Sequence, residues 1–456
     1  MREIAVDVLV AEVGSTTTVV NAFRGLETDQ PTFAGQGMAP TSVGAGDVTL
    51  GLRGAITDLS TRLGGNVKWE HMLATSSAAG GLRMTVHGLA YDMTARAAKE
   101  AALGAGALIK LVTAGKMSQR ELAETTAIKP NIVLLAGGVD HGERDTAITN
   151  AHYLAQLEIN APIIYAGNIS CREEVLDILR SGHKTVIAVD NVYPRIDELN
   201  IEPTRSAIQD VFEAHIVHAP GMSKIRDMVL GSIMPTPGAV MSAARLLSSC
   251  IGDLLVVDVG GATTDVHSVT AGSEEMARLM VSPEPVAKRT VEGDLGVYIN
   301  AAQVGVLVRD EEMVMPRVQL DQILHDWPPI PTTEDQFTVL NILTGKAVEV
   351  ALDRHVGRLK HLYGPGGRTT VAQGKDLTAV RWVVGTGGPL TTLNNAHEIL
   401  SKALRISARQ ELYPKNYKVI IDCHYNMAVL GVLGREYPEA ALCLMKQSLG
   451  MEGNNA

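Results

Sequence analysis

Two short segments of this chain carry a carboxylate, a glycine and a cluster of hydroxyls in the same order. Residues 11–20 read Ala-Glu-Val-Gly-Ser-Thr-Thr-Thr-Val-Val, and residues 257–266 read Val-Asp-Val-Gly-Gly-Ala-Thr-Thr-Asp-Val. An ungapped alignment places Glu12 opposite Asp258. Each segment follows an apolar run and leads into a second β-branched stretch, which predicts a strand, a tight turn and a second strand.

The residue types in these turns suit a polyphosphate and its cation. Glycine lets the backbone approach a phosphate, while successive N–H groups and Thr hydroxyls donate hydrogen bonds to its oxygens. A carboxylate two residues before the glycine can hold a hydrated cation, so Glu12 and Asp258 are the predicted metal-side residues. The predicted phosphate-binding residues are Gly14, Ser15, Thr16, Thr17 and Thr18 in the first turn and Gly260, Gly261, Ala262, Thr263 and Thr264 in the second.

The repetition of the turn carries more weight than either copy. One copy alone could equally be an ordinary Gly-Thr β-turn. Two copies 246 residues apart (260 minus 14) predict a duplicated domain with a cleft between its halves. A third glycine turn, at residues 383–390, follows another apolar run, and a turn so free of side chains can lie flat along a nucleoside. Its predicted contacts are Gly385, Thr386, Gly387 and Gly388.

A P-loop is excluded by the residues that follow each Gly-Lys pair. A Walker A loop needs Ser or Thr at that position. The three Gly-Lys pairs of this chain are followed by residues without a hydroxyl: Met117, Ala347 and Asp376.

The two hairpins and the Gly-Thr-Gly-Gly turn resemble those of the actin, sugar kinase and Hsp70 ATPase superfamily. Within it, the chain is similar to the MutL/GlmL proteins, which are encoded beside glutamate mutase and related adenosylcobalamin-dependent mutases and aminomutases. Glu12 stands where the superfamily usually carries Asp. The matching stretches cover residues 9–23, 75–84, 134–139, 189–194, 258–265, 288–296, 373–378 and 385–390.

This resemblance implies an α/β fold of duplicated actin-like, ribonuclease H-like ATPase lobes with an interlobe nucleotide cleft. It implies ATP and Mg²⁺ as cofactors, with Asp258, or alternatively Glu12, orienting the attacking water. Phosphoryl transfer depends mainly on positioning and charge neutralisation, so closure of the lobes would complete the site. The implied function is a slowly ATP-hydrolysing, chaperone-like accessory or reactivating protein, whose partner is a subunit of an adenosylcobalamin-dependent mutase.

Two other functions belong to related folds. A kinase for a sugar or a carboxylic acid is the alternative, and it needs an acceptor-binding base, for which Asp140 and Asp190 are the candidates. An activator of a radical dehydratase needs cysteines that hold a cluster between subunits. The four cysteines are too dispersed for that role: Cys171, Cys250, Cys423 and Cys443.

The pattern of apolar runs predicts the organisation of the chain. Strands near 4–12, 17–24 and 31–37 predict a β-meander, and the Ala-rich stretch 94–114 predicts a helix. After Asn131, short apolar strands alternate with helical runs, which predicts parallel βαβ units.

We therefore divide the chain into two lobes. Residues 1–240 are the first actin-like lobe, and residues 131–192 are an extra βαβ segment within it that could serve as a docking surface. Residues 241–456 are the second lobe, with the adenosine-binding turn. In the charged run that begins at Lys288, either Glu292 or Asp294 could face the cleft.

The composition of the chain limits the classes of partner that we expect it to bind. The net charge of −10 and the lack of a basic, aromatic-interleaved stripe argue against nucleic acid, including a role in DNA mismatch repair, and against an anionic membrane. No apolar run approaches the length needed to span a bilayer, and the N-terminus has no secretory pattern, so we expect a cytoplasmic protein with reduced thiols. A homo-oligomer is also compatible with the sequence.

Overall fold

The first lobe is built on a five-stranded sheet. The computed structural model describes residues 2–42, 46–77, 82–216, 222, 224–226, 228–231, 233–364, 367–407 and 412–451. The first sheet has the order β3-β2-β1-β4-β10, with β1 and β2 antiparallel and β1 and β4 parallel. Its strands are β1 (Glu3–Val13), β2 (Thr17–Arg24), β3 (Thr32–Pro40), β4 (Asn66–Ser76) and β10 (Ile233–Pro235).

The second lobe repeats this topology. Its sheet has the order β13-β12-β11-β16-β17, with an antiparallel meander of three strands and two strands parallel to the first. Its strands are β11 (Leu254–Val259), β12 (Thr264–Val269), β13 (Ala287–Glu292), β16 (Trp382–Thr386) and β17 (Lys418–Ile421). Two ribonuclease H-like sheets of one topology confirm the predicted actin-like α/β fold.

A third sheet is inserted in the chain between β4 and β10. All five of its strands are parallel, in the order β6-β5-β7-β8-β9. They are β5 (Leu82–Gly88), β6 (Ala107–Ala114), β7 (Ile132–Leu135), β8 (Ile163–Tyr165) and β9 (Val186–Ala188). This inserted sheet contains the predicted βαβ units after Asn131, and it begins earlier in the chain, at Leu82.

The prediction of a helix through residues 94–114 is wrong for its second half. The helix ends at Gly104, and Gly106 follows with a φ of 94°. Residues 107–114 then form β6, which pairs with β5. The β-branched residues there fit a strand, and this pairing outweighs the helix propensity of the alanines.

Helices cover the three sheets, and one two-stranded sheet completes the fold. The hairpin strands are β14 (Arg358–Gly364) and β15 (Gly367–Gln373), and short π or 3₁₀ turns lie at Tyr91–Ala95, Ile169–Cys171 and Asp310–Glu312. The helices are α1 (Val48–Leu63), α2 (Arg96–Gly104), α3 (Gln119–Ile128), α4 (Asp145–Gln156), α5 (Arg172–Ser181), α6 (Glu202–Ile216), α7 (Thr236–Ile251), α8 (Glu274–Ala277), α9 (Ala301–Leu307), α10 (Arg317–His325), α11 (Glu334–His355), α12 (Gly388–Thr392), α13 (Ala396–Ser407), α14 (Met427–Leu433) and α15 (Pro438–Ser448).

Helices α7 and α14 cross between the two lobes. They share one buried cluster with Val10 of β1 and Val256 of β11. The crossing is close, because a Cβ on Gly431 would lie 1.9 Å from the carbonyl oxygen of Ala239. The predicted lobe boundary, between residues 240 and 241, falls inside α7 and stays a prediction.

Helices α2 and α6, which pack beside the inserted sheet, also contact the second lobe. Arg96 of α2 forms an ion pair with Glu284 at 3.1 Å, and Arg205 of α6 donates to the carbonyl of Ala287 at 3.3 Å. Among the residues described, no helix combines the length and the apolar character that crossing a membrane requires.

Candidate nucleotide site

A cavity of about 680 Å³ lies between the two repeated hairpins. The size is in the range of small-molecule and cofactor sites. Most of the predicted site residues line it: Glu12, Gly14, Ser15, Thr16, Thr17, Asp258, Gly260, Gly261, Ala262, Thr263 and Gly388.

The two turns have the same geometry. The N–H of Gly14 donates to the carbonyl of Thr17 at 3.0 Å, and the N–H of Gly260 donates to the carbonyl of Thr263 at 2.9 Å. The strands on either side keep the same register, since Val13 pairs with Thr18 as Val259 pairs with Thr264. The sequence repeat is therefore a structural repeat.

Two predicted hydroxyls are directed away from the cavity. The buried Thr18 hydroxyl bonds the Thr41 hydroxyl at 3.0 Å, and the buried Thr264 hydroxyl donates to the carbonyl of Leu295 at 2.8 Å. Neither residue lines the cavity. Both hold the base of their turn in place.

Three residues of the third glycine turn also serve the packing. Gly385 makes room for a helix, because a Cβ there would lie 2.7 Å from Leu400. Gly387, with a φ of 89°, lies against the end of β11, where a Cβ would be 2.2 Å from the carbonyl oxygen of Val259. The hydroxyl of Thr386 donates to Asp422 at 2.9 Å. Of this turn, Gly388 reaches the cavity.

Glu12 is buried at the floor of the cavity with one oxygen unsatisfied. The hydroxyl of Tyr425, from the second lobe, donates to its Oε1 at 3.3 Å, while its Oε2 has no hydrogen-bond partner among the described residues. Burial raises the pKa of Glu12 to about 7; the Tyr425 hydrogen bond opposes this rise, and the nearby charge of Asp422 adds to it. A buried oxygen without a partner fits a cation or its water ligand.

Asp258 faces a similar environment from the second lobe. Its pKa is raised well above the usual value, first by burial and then by the charges of Asp265 and Glu12. A divalent cation in the cavity would remove this repulsion. In the described part of the chain, no group of three or more His, Cys, Asp or Glu side chains could hold a metal ion. Two carboxylates that face one cavity can hold an ion that keeps most of its water.

Asp265, which the sequence reasoning did not select, lines the same cavity and forms a buried ion pair. Its Oδ1 accepts from Arg289 Nη2 at 2.6 Å and from Nε at 2.9 Å. Arg289 also donates to the carbonyl of Leu103, at the end of α2, at 3.1 Å. The sequence repeat contained a signal for Asp265. This residue aligns with Val19, so the second hairpin has a carboxylate where the first has an apolar side chain. A buried carboxylate needs a partner.

Six Phe, Tyr or Trp side chains line the cavity, and none was a predicted site residue; Tyr425 and Trp327 are two of them. Tyr425 adopts a left-handed backbone with a φ of 48°, an uncommon conformation that places its hydroxyl against Glu12. Nothing in its sequence context signals that role. Trp327 lies in the Pro-rich connection after α10 and lines the cavity on the second-lobe side.

In the charged run that begins at Lys288, Arg289 lines the cavity and the two candidate acids do not. Arg354 of α11 binds Glu292 at 2.6 Å and Asp294 at 2.7 Å, and neither acid lines the cavity. From the matching stretch 75–84, residues 78–81 lie outside the described residues.

Comparisons with known proteins agree with the family resemblance. A family model described as MutL protein matches residues 8–449. The chain is 37% identical to Protein MutL of Clostridium tetanomorphum over 421 residues, which cover 88% of this chain and 91% of that protein.

Similarity to solved structures is weaker. Nucleotide-free acetone carboxylase gives a TM-score of 0.41 at 14% identity, covering 94% of this chain and 70% of that one. Diol dehydratase-reactivating factor in its nucleotide-free form gives 0.37 at 11% identity, covering 95% and 100%. TM-scores this low carry no argument about function.

Proposed function

Because this chain belongs to the MutL protein family, we propose that it is an ATP-binding accessory protein that hydrolyses ATP slowly and reactivates or helps to assemble an adenosylcobalamin-dependent mutase. The observation that carries the proposal is the convergence of two matching hairpins, one per lobe, on a single cavity. A ligand held by both hairpins would couple its own chemistry to the relative position of the lobes.

The hairpins would hold the phosphates through backbone N–H groups and exposed hydroxyls. Ser15, Thr16 and Thr17 would provide donors from the first lobe. Gly261 and Thr263 would provide backbone N–H groups from the second, since the Thr263 hydroxyl donates to Asp265 at 2.9 Å. Glu12 and Asp258 would face Mg²⁺ through water, and Asp258 would orient the attacking water. Bound Mg²⁺ would neutralise the charge of the phosphates.

Motion of the lobes is the expected output. Besides the crossing of α7 and α14, the loop before α14 contacts the first lobe directly. His424 lies against the ring of Phe33, with centroids 4.9 Å apart, and its carbonyl accepts from Gln36 at 3.1 Å. Next to it, Tyr425 donates to Glu12. A nucleotide that changes the environment of Glu12 would act on this interlobe contact.

The kinase alternative gains no support from its two candidate bases. Oδ1 of Asp140 accepts from the N–H of Ile169 and from Asn191, each at 2.9 Å. Asp190 is exposed and lies 3.5 Å from Arg172. Neither acid lines the cavity between the hairpins.

Nucleotide binding and partner response test the proposal together. We expect calorimetry to give Mg²⁺-dependent ATP binding in the micromolar range or weaker, and small-angle scattering to show different radii with ATP and with ADP. A ligand that binds both lobe arrangements with equal affinity does not shift the equilibrium between them. A cobalamin-dependent mutase subunit should accelerate hydrolysis. Stoichiometric phosphorylation of a sugar or carboxylic acid, without a response to the mutase, would favour the kinase.

A further inference from the structure

The second-lobe side of the cavity is formed by a short aromatic and proline-rich segment. Residues 327–331 read Trp-Pro-Pro-Ile-Pro and all line the cavity. Phe337 and Leu340 of α11 line it beside them, as does Gly388 at the start of α12. The segment therefore shares the cavity with the one residue of the third glycine turn that reaches it.

Trp327 is held in a fixed position relative to the phosphate hairpin. Its indole Nε1 donates to the carbonyl of Val297 at 2.8 Å, and the N–H of Val297 donates to the carbonyl of Gly260 at 3.2 Å. The ring packs on the second-lobe core, and the prolines that follow restrict the backbone. A pre-organised ring loses little freedom when a ligand stacks on it.

The chemistry of this side of the cavity favours stacking over base recognition. The cavity side chains that can carry charge lie on the hairpins, on β13 and the loop after it, or on the loop before α14: Glu12, Asp258, Asp265, Arg289, Tyr298, Cys423, His424 and Tyr425. On α12, which lines the same cavity, the hydroxyls of Thr391 and Thr392 donate to the carbonyl of Gly388 at 3.1 and 2.7 Å. The indole N–H is also used, so Trp327, Thr391 and Thr392 offer no free side-chain donor to a base edge.

We propose that Trp327 is the stacking platform for the nucleotide base, and that the site accepts purine nucleoside triphosphates without distinguishing adenine from guanine. This inference rests on the proposed nucleotide function and specifies its base subsite. Every base presents a π-face, so a site that binds by stacking alone tolerates different bases. Selectivity would then come from the triphosphate, which the two hairpins hold.

Calorimetry with three ligands tests the platform: Mg-ATP, Mg-GTP and Mg-tripolyphosphate, which has phosphates and no base. We expect wild-type protein to bind ATP and GTP within about threefold of each other. Trp327→Ala should weaken both by about tenfold or more, as the loss of one aromatic–base stack predicts, and should leave tripolyphosphate affinity within about twofold. Trp327→Phe, which keeps an aromatic face, should retain most of the affinity.

Fluorescence provides a second readout in a Trp69→Phe, Trp382→Phe background, where Trp327 is the one remaining tryptophan of the three. Nucleotides should change its emission, and tripolyphosphate should not.

The platform is wrong if Trp327→Ala binds ATP like the wild type, or if it loses tripolyphosphate affinity by the same factor as ATP affinity. Base indifference is wrong if the wild type prefers ATP to GTP strongly. If the wild type bound tripolyphosphate but Trp327→Ala left ATP binding unchanged, only the platform would fall. If the wild type bound neither ATP nor tripolyphosphate, the proposed function would fall with it.

Discussion

The two hairpins share one turn and differ in what their second strands carry. In the first, Glu12 pairs across the strands with Val19; in the second, Asp258 pairs with Asp265. Val19 has no polar side-chain group to offer Glu12. Glu12 instead accepts a hydrogen bond from Tyr425, a residue of the opposite lobe. The acidic partner instead brings in Arg289, which reaches the inserted sheet at the end of α2.

This difference gives the two lobes unequal roles around the same ligand. The first hairpin is connected across the cleft by the hydrogen bond that the Tyr425 hydroxyl donates to Glu12. The second is connected to the inserted sheet by a buried ion pair, with Arg289 and Asp265 both less than a tenth exposed. A change at Asp258 would therefore be transmitted to the inserted sheet, while a change at Glu12 would act on the closure of the cleft.

Removing the Asp258 carboxylate should have the largest effect on activity. Asp258→Ala should lower ATP hydrolysis by at least about 100-fold, because a group aimed at the reacting phosphate is lost, and should largely spare ATP affinity, because the backbone donors of both turns remain. Single-turnover hydrolysis and calorimetry measure the two quantities.

The fold should survive this substitution. Burial and the charges of Asp265 and Glu12 outweigh the attraction of Arg289 and disfavour ionisation of Asp258, so we expect its removal to cost little stability. Asp190→Ala provides a control for the loss of a carboxylate, because Asp190 is exposed and does not line the cavity. Hydrolysis by Asp258→Ala near the wild-type rate would place the catalytic carboxylate elsewhere.

Substitutions that make the second hairpin resemble the first test the ion pair between Asp265 and Arg289. Asp265→Val and Arg289→Met should each lower the free energy of unfolding by about 3–5 kcal/mol, since each leaves a buried charge without its partner. The double variant removes both charges and should recover most of the loss. Urea unfolding measures all three.

Arg354→Met is the control for this set. Arg354 also pairs with residues at the end of β13, but it is 40% exposed, so its loss should cost about 1 kcal/mol or less. Additive losses in the double variant would show that Asp265 and Arg289 are not energetically coupled. A coupled pair together with unchanged ATP binding would assign the ion pair to the inserted sheet and not to the nucleotide.

Local patterns made the hairpins and the meander predictable. The turn of Gly14 and the turn of Gly260 each depend on a few consecutive residues, and their repetition indicated the duplicated fold. Residues brought together from distant parts of the chain were not predictable in this way. Trp327 and Tyr425 reach the cavity through tertiary packing, and the role of Arg289 depends on its contact with the carbonyl of Leu103.

The error over residues 107–114 has the same origin. Alanine-rich composition favours a helix locally, but β5 offers a parallel partner that only the folded chain provides. The predicted contacts Thr18, Thr264 and Thr386 show a related limit. Their residue type suits a phosphate, yet whether a hydroxyl faces the cavity depends on strand register and on distant acceptors.

Titration of Glu12 should give the smallest and most specific effect. Its pKa is about 7, so the carboxylate is protonated below that pH and charged above it. Mg²⁺-dependent ATP affinity should therefore rise as the pH increases from about 6 to about 8, and Glu12→Gln should flatten this rise. Stability should change in the opposite direction: the free energy of unfolding falls as the pH increases from 4.5 to about 7, because the unfolded chain releases this proton first.

Tyr425→Phe separates the contribution of the interlobe hydrogen bond from that of burial. The hydroxyl of Tyr425 stabilises the charged form of Glu12, so removing it should raise the pKa of Glu12 and move the midpoint of ATP affinity to higher pH. Affinity at pH values above both midpoints should change little, because the carboxylate is then charged in either protein. A midpoint that moved down, or one that stayed in place while affinity fell at every pH, would mean that Tyr425 acts on the nucleotide directly. In that case the proposed difference between the hairpins would not hold: Tyr425 would not set the pKa of Glu12 across the cleft, as Arg289 connects the second hairpin to the inserted sheet.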